Sequence, residues 1–185
     1  GNHECNHEDG LYTSGEDLTP TEYYSVAQRR DHAVKVVNPL DPFGGYYYCD
    51  FDEYKVRVIV LNAFANPQTS GIANDFGATQ DTWFANVALA LDGISDANKW
   101  GVIVFCHPSA STNNTIKRLR PANFSQLCPG TLIGYIHGHT HVDSYTDDDG
   151  FNNISVTRAY GQINESGSQK CAVSIFTMIP SVAGD

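Results

Sequence analysis

The sequence has few basic side chains and lacks any long apolar run. It contains 11 Lys and Arg against 21 Asp and Glu, which gives a formal net charge of -10 and a pI near 4.9. Because no basic stripe is available to neutralise a phosphate backbone, we expect no surface that wraps nucleic acid. The longest apolar run, residues 58–65, is interrupted by Asn62 and is far shorter than the roughly 20 residues of a membrane span. These absences predict a soluble protein without a membrane partner.

Paired cysteines are also lacking. The five cysteines are scattered, odd in number and never arranged as Cys-x-x-Cys. This pattern predicts neither a disulfide framework nor a thiolate zinc site. It favours a reducing compartment such as the cytoplasm.

The length and composition are those of one globular domain. The chain has 185 residues, of which 41% are hydrophobic and 11% aromatic, a mixture that can bury a core. We therefore expect a single domain over residues 1–185, without internal repeats.

Local patterns predict a mixed α/β order in which strands dominate the second half. A hairpin is expected from two aromatic and β-branched segments, with the stretch Val58 to Leu61 buried on both faces. An amphipathic helix is expected where Trp83, Phe84 and Leu91 share one stripe, capped at its start by Thr79 or Asp81. The predicted helices are 20–30 and 79–91, and the predicted strands are 46–51, 54–61, 101–106, 132–136, 154–159 and 171–179.

Histidines stand at the ends of two of the predicted strands. The run to Cys106 ends at His107, and the next apolar run ends at the motif Gly138-His139-Thr140-His141. Alternation along an extended segment directs His139 and His141 to the same side. Imidazole nitrogen and amide oxygen suit divalent Mn, Fe, Zn, Ni or Co, so the pattern predicts metal binding.

Together with Gly1-Asn2-His3-Glu4, these motifs resemble the calcineurin-like metallophosphoesterases. That family has the pattern DxH, GD, GNH(D/E), a strand-end His and GHxH, and the last three elements occur here in order. The resemblance covers nearly the whole chain. It implies an α/β fold, a sandwich of two mixed β-sheets flanked by helices, here lacking its first strands.

The resemblance also implies a dinuclear site for two divalent metal ions. One metal would be bound by Asn2, His107 and His139, and the second by His141. His3 would be the acid that faces the substrate, and Glu4 would orient the His3 ring. The implied reaction is hydrolysis of a phosphate mono- or diester by attack of a metal-activated hydroxide.

The sequence departs from the family pattern in one respect. It contains no Asp-x-His, and its only Gly-Asp pair, Gly184-Asp185, is at the far end of the chain. We therefore expect a C-terminal part of a longer phosphoesterase, whose N-terminal segment would complete the site as a partner. On this hypothesis the chain holds one metal ion or none and has little activity alone. Two tight Mn sites with rapid hydrolysis of an aryl phosphate would contradict it.

Two other functions are compatible with the motifs. The chain could be a non-catalytic binding domain on a degenerate phosphoesterase scaffold, which substituted DxH and GD positions upstream would favour. His3, Glu4 and His7 also match the HExxH signature of zinc peptidases, but the flanking residues make a poor helix.

Several residues near the motifs are not expected to coordinate metal. His137, next to the motif, is expected to serve core packing or substrate contact. The aspartates of 147–149 form a turn without the spacing of a calcium loop. The stretches 63–78 and 108–130 are expected to form pocket loops, and they carry no substrate signature.

Overall fold

The computed structural model describes residues 46–63, 76–108, 114–138, 142–147 and 149–156. The predicted helix 20–30, the predicted strand 171–179 and residues 157–159 of another lie outside these ranges. The described elements, in chain order, are strands and helices with the following bounds: β1 Tyr47–Phe51, β2 Val56–Val60, α1 Gly77–Trp83, β3 Gly101–Cys106, α2 Pro121–Leu127, β4 Thr131–His137, β5 Ser144–Thr146 and β6 Asn153–Ser155.

The strands form one six-stranded mixed sheet in the order β1-β2-β3-β4-β6-β5. The predicted hairpin is confirmed, since β1 and β2 pair antiparallel from Tyr47 opposite Val60 to Phe51 opposite Val56. The predicted turn near 147–150 is confirmed too, with the Gly150 amide donating to the Asp147 carbonyl at 2.7 Å. The prediction of a mixed α/β fold is therefore correct for the described part of the chain.

The middle of the sheet is parallel. β2 pairs parallel with β3, β3 with β4, and β4 with β6. The carboxyl ends of these four strands therefore lie along one edge, which we call the carboxyl edge and define by Leu61, Cys106, His137 and Ser155. Open α/β sheets bind ligands outside the carboxyl ends of their strands.

The helix predicted over 79–91 is present but starts earlier and changes its geometry. It begins at Gly77 after Phe76, whose side chain makes no cap hydrogen bond, so neither Thr79 nor Asp81 is the cap. From Phe84 to Ala88 it continues as a π-helical turn, with the Leu89 amide donating to the Phe84 carbonyl at 3.0 Å. Burial of consecutive aromatic residues fixes this segment, because Trp83 and Phe84 are both fully enclosed.

The prediction of a pocket loop over 108–130 is wrong for its second half. Ile116–Leu119 forms a 3₁₀ turn and is followed by α2, whose first residue is Pro121. Proline with its fixed φ suits the first position of a helix, and this signal was available in the sequence. Ile116, Leu119 and Phe124 are buried against the sheet core.

Both faces of the sheet carry apolar side chains. The larger cluster joins Ile59, Val102, Val104 and Tyr135 to the helices, and a second cluster centres on Val56, Ile103 and Ile136. The expectation that Val58 to Leu61 is buried on both faces holds only for Ile59 and Leu61, since Val58 and Val60 are half-buried. Within the described ranges, the helices are too short or too polar to cross a membrane.

Candidate functional site

His107 and the beginning of the Gly138-His139-Thr140-His141 motif lie side by side at the carboxyl edge. Cys106 is in register with His137, so the next residue of each strand leaves the sheet at the same place. The Gly138 amide donates to the His107 carbonyl at 3.1 Å. A Cβ placed on Gly138 would lie 3.9 Å from His107 Nδ1. His107 thus contacts the first residue of the Gly138-His139-Thr140-His141 motif through a backbone hydrogen bond.

The other predicted site residues lie outside the described residues. These are Asn2, His3, Glu4, His139 and His141, together with His7 of the HExxH alternative. Across the described ranges, no three His, Cys, Asp or Glu side chains lie together in a way that could hold a metal ion. His107 is therefore the predicted ligand that the structure places at the carboxyl edge.

A side chain of β4 supports the backbone next to His107. The Tyr135 hydroxyl donates to the Pro108 carbonyl at 2.6 Å. The Cys106 thiol is near enough to the Tyr135 hydroxyl for each group to affect the pKa of the other.

The Cys106 thiol stays protonated. Burial raises its pKa to about 12, against smaller opposing effects from Tyr135 and from the backbone of His107 and Ala63. Burial likewise raises the pKa of Tyr135 well above its ordinary value. Both groups are therefore neutral hydrogen-bonding groups at physiological pH and not nucleophiles.

Gln80 supports the end of β2 in a similar way. Its Oε1 accepts from the Asn62 amide at 2.8 Å, and its Nε2 donates to the Asn62 carbonyl at 2.7 Å and to the Phe76 carbonyl at 3.0 Å. The side chain is 1% exposed. The backbone of Asn62, the residue after Leu61 at the carboxyl edge, is thus held from α1.

His137 is buried, as its predicted role in core packing requires. Its ring stacks on Tyr135, with centroids 5.5 Å apart. Its Nδ1 lies 3.0 Å from the Gly138 carbonyl oxygen, and because that oxygen only accepts, the contact assigns the proton to Nδ1.

A pocket of about 510 Å³ opens at the other end of the sheet. Its walls include Lys55 and Trp100, which precede β2 and β3, and Asp92 and Asp96 from the intervening loop. It lies at the amino ends of the parallel strands and is separate from His107 and Gly138. Its acidic groups include Asp96, which pairs with Lys99 at 3.5 Å.

The supporting residues of the site were only partly visible in the sequence. Gln80 belongs to the helix that contributes to the family resemblance, but its bonds to Asn62 join residues 18 apart. In the sequence, Tyr135 is one residue of an apolar strand pattern, and nothing in that pattern marks it as a supporting residue. Its contact with Pro108 depends on the parallel pairing of β3 and β4, which no local pattern specifies.

The described portion of the carboxyl edge contributes one candidate metal ligand, His107. His107 is half-buried, and it is presented by the end of a rigid strand beside a glycine, with an imidazole that suits borderline metals. Comparisons with family models, with curated proteins and with solved structures give no match. Function is therefore inferred from the motifs and from their placement on the sheet.

Proposed function

We propose that this protein is a metal-dependent phosphoesterase whose metal site lies at the carboxyl edge. The observation that carries the proposal is the contact of His107 with Gly138, where the amide to carbonyl distance is 3.1 Å. The strand-end His and the GHTH motif are more than 30 residues apart in the sequence. Their adjacency is what a shared metal site requires, and chance motif matches would not be expected to meet.

In this function His107, His139 and Asn2 would hold one divalent ion, and His141 would hold the second. Such ions, when bound, would neutralise phosphoryl oxygens and make hydroxide available near neutral pH. His3 would donate a proton to the leaving oxygen of the ester, and Glu4 would orient the His3 ring. The substrate class is a phosphate mono- or diester.

The two apolar faces of the sheet support the sandwich architecture that the resemblance implies. Val56, Ile103 and Ile136 on the second face are each less than 8% exposed. A sheet that is apolar on both faces must be covered on both. A second sheet against Val56, Ile103 and Ile136 is the arrangement that the proposed fold supplies.

The proposed location is a reducing compartment such as the cytoplasm. The cysteines of the described ranges, Cys49, Cys106 and Cys128, are thiols. Disulfides are rare in the cytoplasm, where thiols are kept reduced.

Metal binding by the 185-residue chain tests the proposal directly. Mn(II) is titrated into the wild type and into His107→Ala and His139→Ala, with free Mn(II) followed by electron paramagnetic resonance. His32→Ala is the matched control, since His32 belongs to none of the motifs. We expect a loss of at least about tenfold in affinity for the first two variants and no change for the control. Of the one metal ion or none expected for this chain, the proposal requires one. Failure of the wild type to bind Mn(II), or equal binding by all four proteins, would therefore refute it.

One sequence feature supports a second candidate, a binding domain without catalysis. The chain contains no Asp-x-His motif, which in the family supplies metal ligands. Hydrolysis of p-nitrophenyl phosphate with Mn(II) separates the two candidates. Because little activity is expected from this chain, the reference is the rate with free Mn(II) alone. Weak turnover above that rate that disappears in His3→Ala and persists in His32→Ala supports the enzyme, whereas Mn(II) binding with no turnover above it supports the binding domain.

A further inference from the structure

We propose that Tyr135 is a positioning residue for His107, acting through the carbonyl group of Pro108. The inference rests on the proposed metal site and adds a residue that the motifs do not contain. Tyr135 does not reach the metal in this proposal. It fixes the backbone from which the His107 imidazole projects.

The central contact is the hydrogen bond from the Tyr135 hydroxyl to the Pro108 carbonyl. At 2.6 Å it is short for its type, and it joins two residues 27 positions apart. Pro108 follows His107 directly, and its ring restricts the backbone φ to one narrow range. The Pro108 carbonyl belongs to the peptide plane that follows Pro108, and the narrow φ of Pro108 couples that plane to the backbone of His107. Fixing this carbonyl therefore restricts the backbone on the carboxyl side of His107.

The donor is itself held in place. Tyr135 is 0% exposed, stacks on His137, and meets the Phe151 ring edge-on at 6.4 Å. A side chain confined on several sides has lost its alternative rotamers, so its hydroxyl can act as a fixed anchor.

Two successive carbonyl groups at His107 and Pro108 are held by hydrogen bonds. The His107 carbonyl accepts from the Gly138 amide at 3.1 Å, and the Pro108 carbonyl accepts from the Tyr135 hydroxyl. Tyr135 belongs to β4, and Gly138 is the residue that follows β4. The backbone from which the His107 side chain projects is thus anchored to β4.

The test compares Tyr135→Phe with Tyr48→Phe in the full chain. Both substitutions remove only a hydroxyl from a tyrosine of the main core cluster or packed against it, but Tyr48 lies on β1, which two intervening strands separate from β4. Co(II) affinity and the visible absorption spectrum of the bound Co(II) are recorded for each variant. The spectrum reports ligand geometry, which a general loss of stability would not alter in the folded fraction.

We expect Tyr135→Phe to weaken Co(II) binding about tenfold and to change the Co(II) spectrum, and Tyr48→Phe to do neither. If His107→Ala loses Co(II) but Tyr135→Phe binds it as the wild type does with the same spectrum, the positioning role is wrong and the metal site stands. If the wild type binds no Co(II), or His107→Ala binds it equally well, both proposals fail.

A wild-type measurement tests the same point if Tyr135→Phe does not fold. The restrained turn should keep the Gly138 amide bonded to His107, so this amide should exchange with deuterium at least about a hundredfold more slowly than in an unfolded chain. Exchange of Gly138 at the unfolded rate would show that the turn is not held and would overturn the inference.

Discussion

Arg57 on β2 and Asp50 on β1 form a bidentate ion pair. Arg57 Nε lies 2.6 Å from Asp50 Oδ1, and Arg57 Nη2 lies 2.8 Å from Asp50 Oδ2. The third nitrogen donates to the Ala88 carbonyl at 3.0 Å, and the guanidinium lies over the Tyr48 ring at 3.7 Å. One side chain therefore joins the hairpin to the π-helical turn.

Asp50→Asn should destabilise the protein strongly. Arg57 is 2% exposed, so the substitution leaves a buried charge without its counterion, at a cost of about 3 kcal/mol in the free energy of unfolding. Urea denaturation measures the change. Asp96→Asn is the control, because its partner Lys99 is exposed and such pairs contribute less than about 1 kcal/mol. Equal effects of the two substitutions would contradict the prediction.

Stability should fall in acid through Asp81. Hydrogen bonding from the Arg118 guanidinium lowers the pKa of Asp81 from its ordinary value of 3.8; partial burial opposes this shift and Thr115 adds to it. A lowered pKa in the folded state means that the stabilisation is complete above the unfolded pKa. It is lost as the pH falls through the folded value.

Asp81→Asn should therefore lower the free energy of unfolding by about 1 kcal/mol near neutral pH. The difference in free energy of unfolding between this variant and the wild type should become smaller as the pH falls below the pKa of Asp81 in the unfolded chain. Urea denaturation across this range gives the two curves. Arg118→Gln is the informative companion, because it removes the main cause of the shift and should flatten the pH dependence. A constant difference between the wild type and Asp81→Asn at all pH values would show that the pKa is not lowered.

Gly130→Ala should destabilise the start of β4. A Cβ at this position would lie 2.6 Å from the Trp100 carbonyl oxygen and 3.0 Å from Leu91 Cδ1. That oxygen cannot easily move, because it already accepts from the Thr131 amide at 2.8 Å. We therefore expect the free energy of unfolding to fall by about 2 kcal/mol. At the other end of β4, the Cβ that Gly138→Ala introduces would lie no closer than 3.9 Å to any atom of the described residues beyond its chain neighbours. Thermal unfolding should show little change for this second variant.

Gln80→Met should weaken the attachment of Asn62. Methionine has a similar size but leaves the Asn62 amide and carbonyl without their side-chain partners, which should cost about 2 kcal/mol. The Asn62 amide should also exchange faster with deuterium. Gln126→Met serves as the comparison, since Gln126 is on α2 and bonds only at the exposed surface. If both substitutions lower the free energy of unfolding by the same small amount, Gln80 does not hold the end of β2.

The sequence predicted those elements whose signals are local. The β1-β2 hairpin follows from two β-rich segments around Asp52-Glu53, and β3 follows from an apolar run that ends at His107-Pro108. The start of α1 was missed because Phe76 carries no side-chain cap. α2 was missed because only Pro121 marked its first turn.

The candidate site was predictable as a set of motifs but not as an arrangement. The motifs indicated that His107 and the segment beginning at Gly138 contribute to the same site. Their contact depends on β3 and β4 being parallel and in register. The contribution of Tyr135 depends on the same pairing, and an apolar strand pattern does not distinguish a packing tyrosine from one that anchors a turn.

The strand order has a consequence for how the protein folds. The two outer pairs, β1 with β2 and β5 with β6, are antiparallel hairpins between neighbouring segments. The three inner pairs are parallel and connect segments distant in sequence, so each must close a long loop before its contacts form. We expect the hairpins to form early and the inner pairs late. The carboxyl edge, where His107 contacts Gly138, is then assembled late in folding. In a refolding experiment, the capacity to bind metal should therefore appear only with the late formation of the parallel pairs.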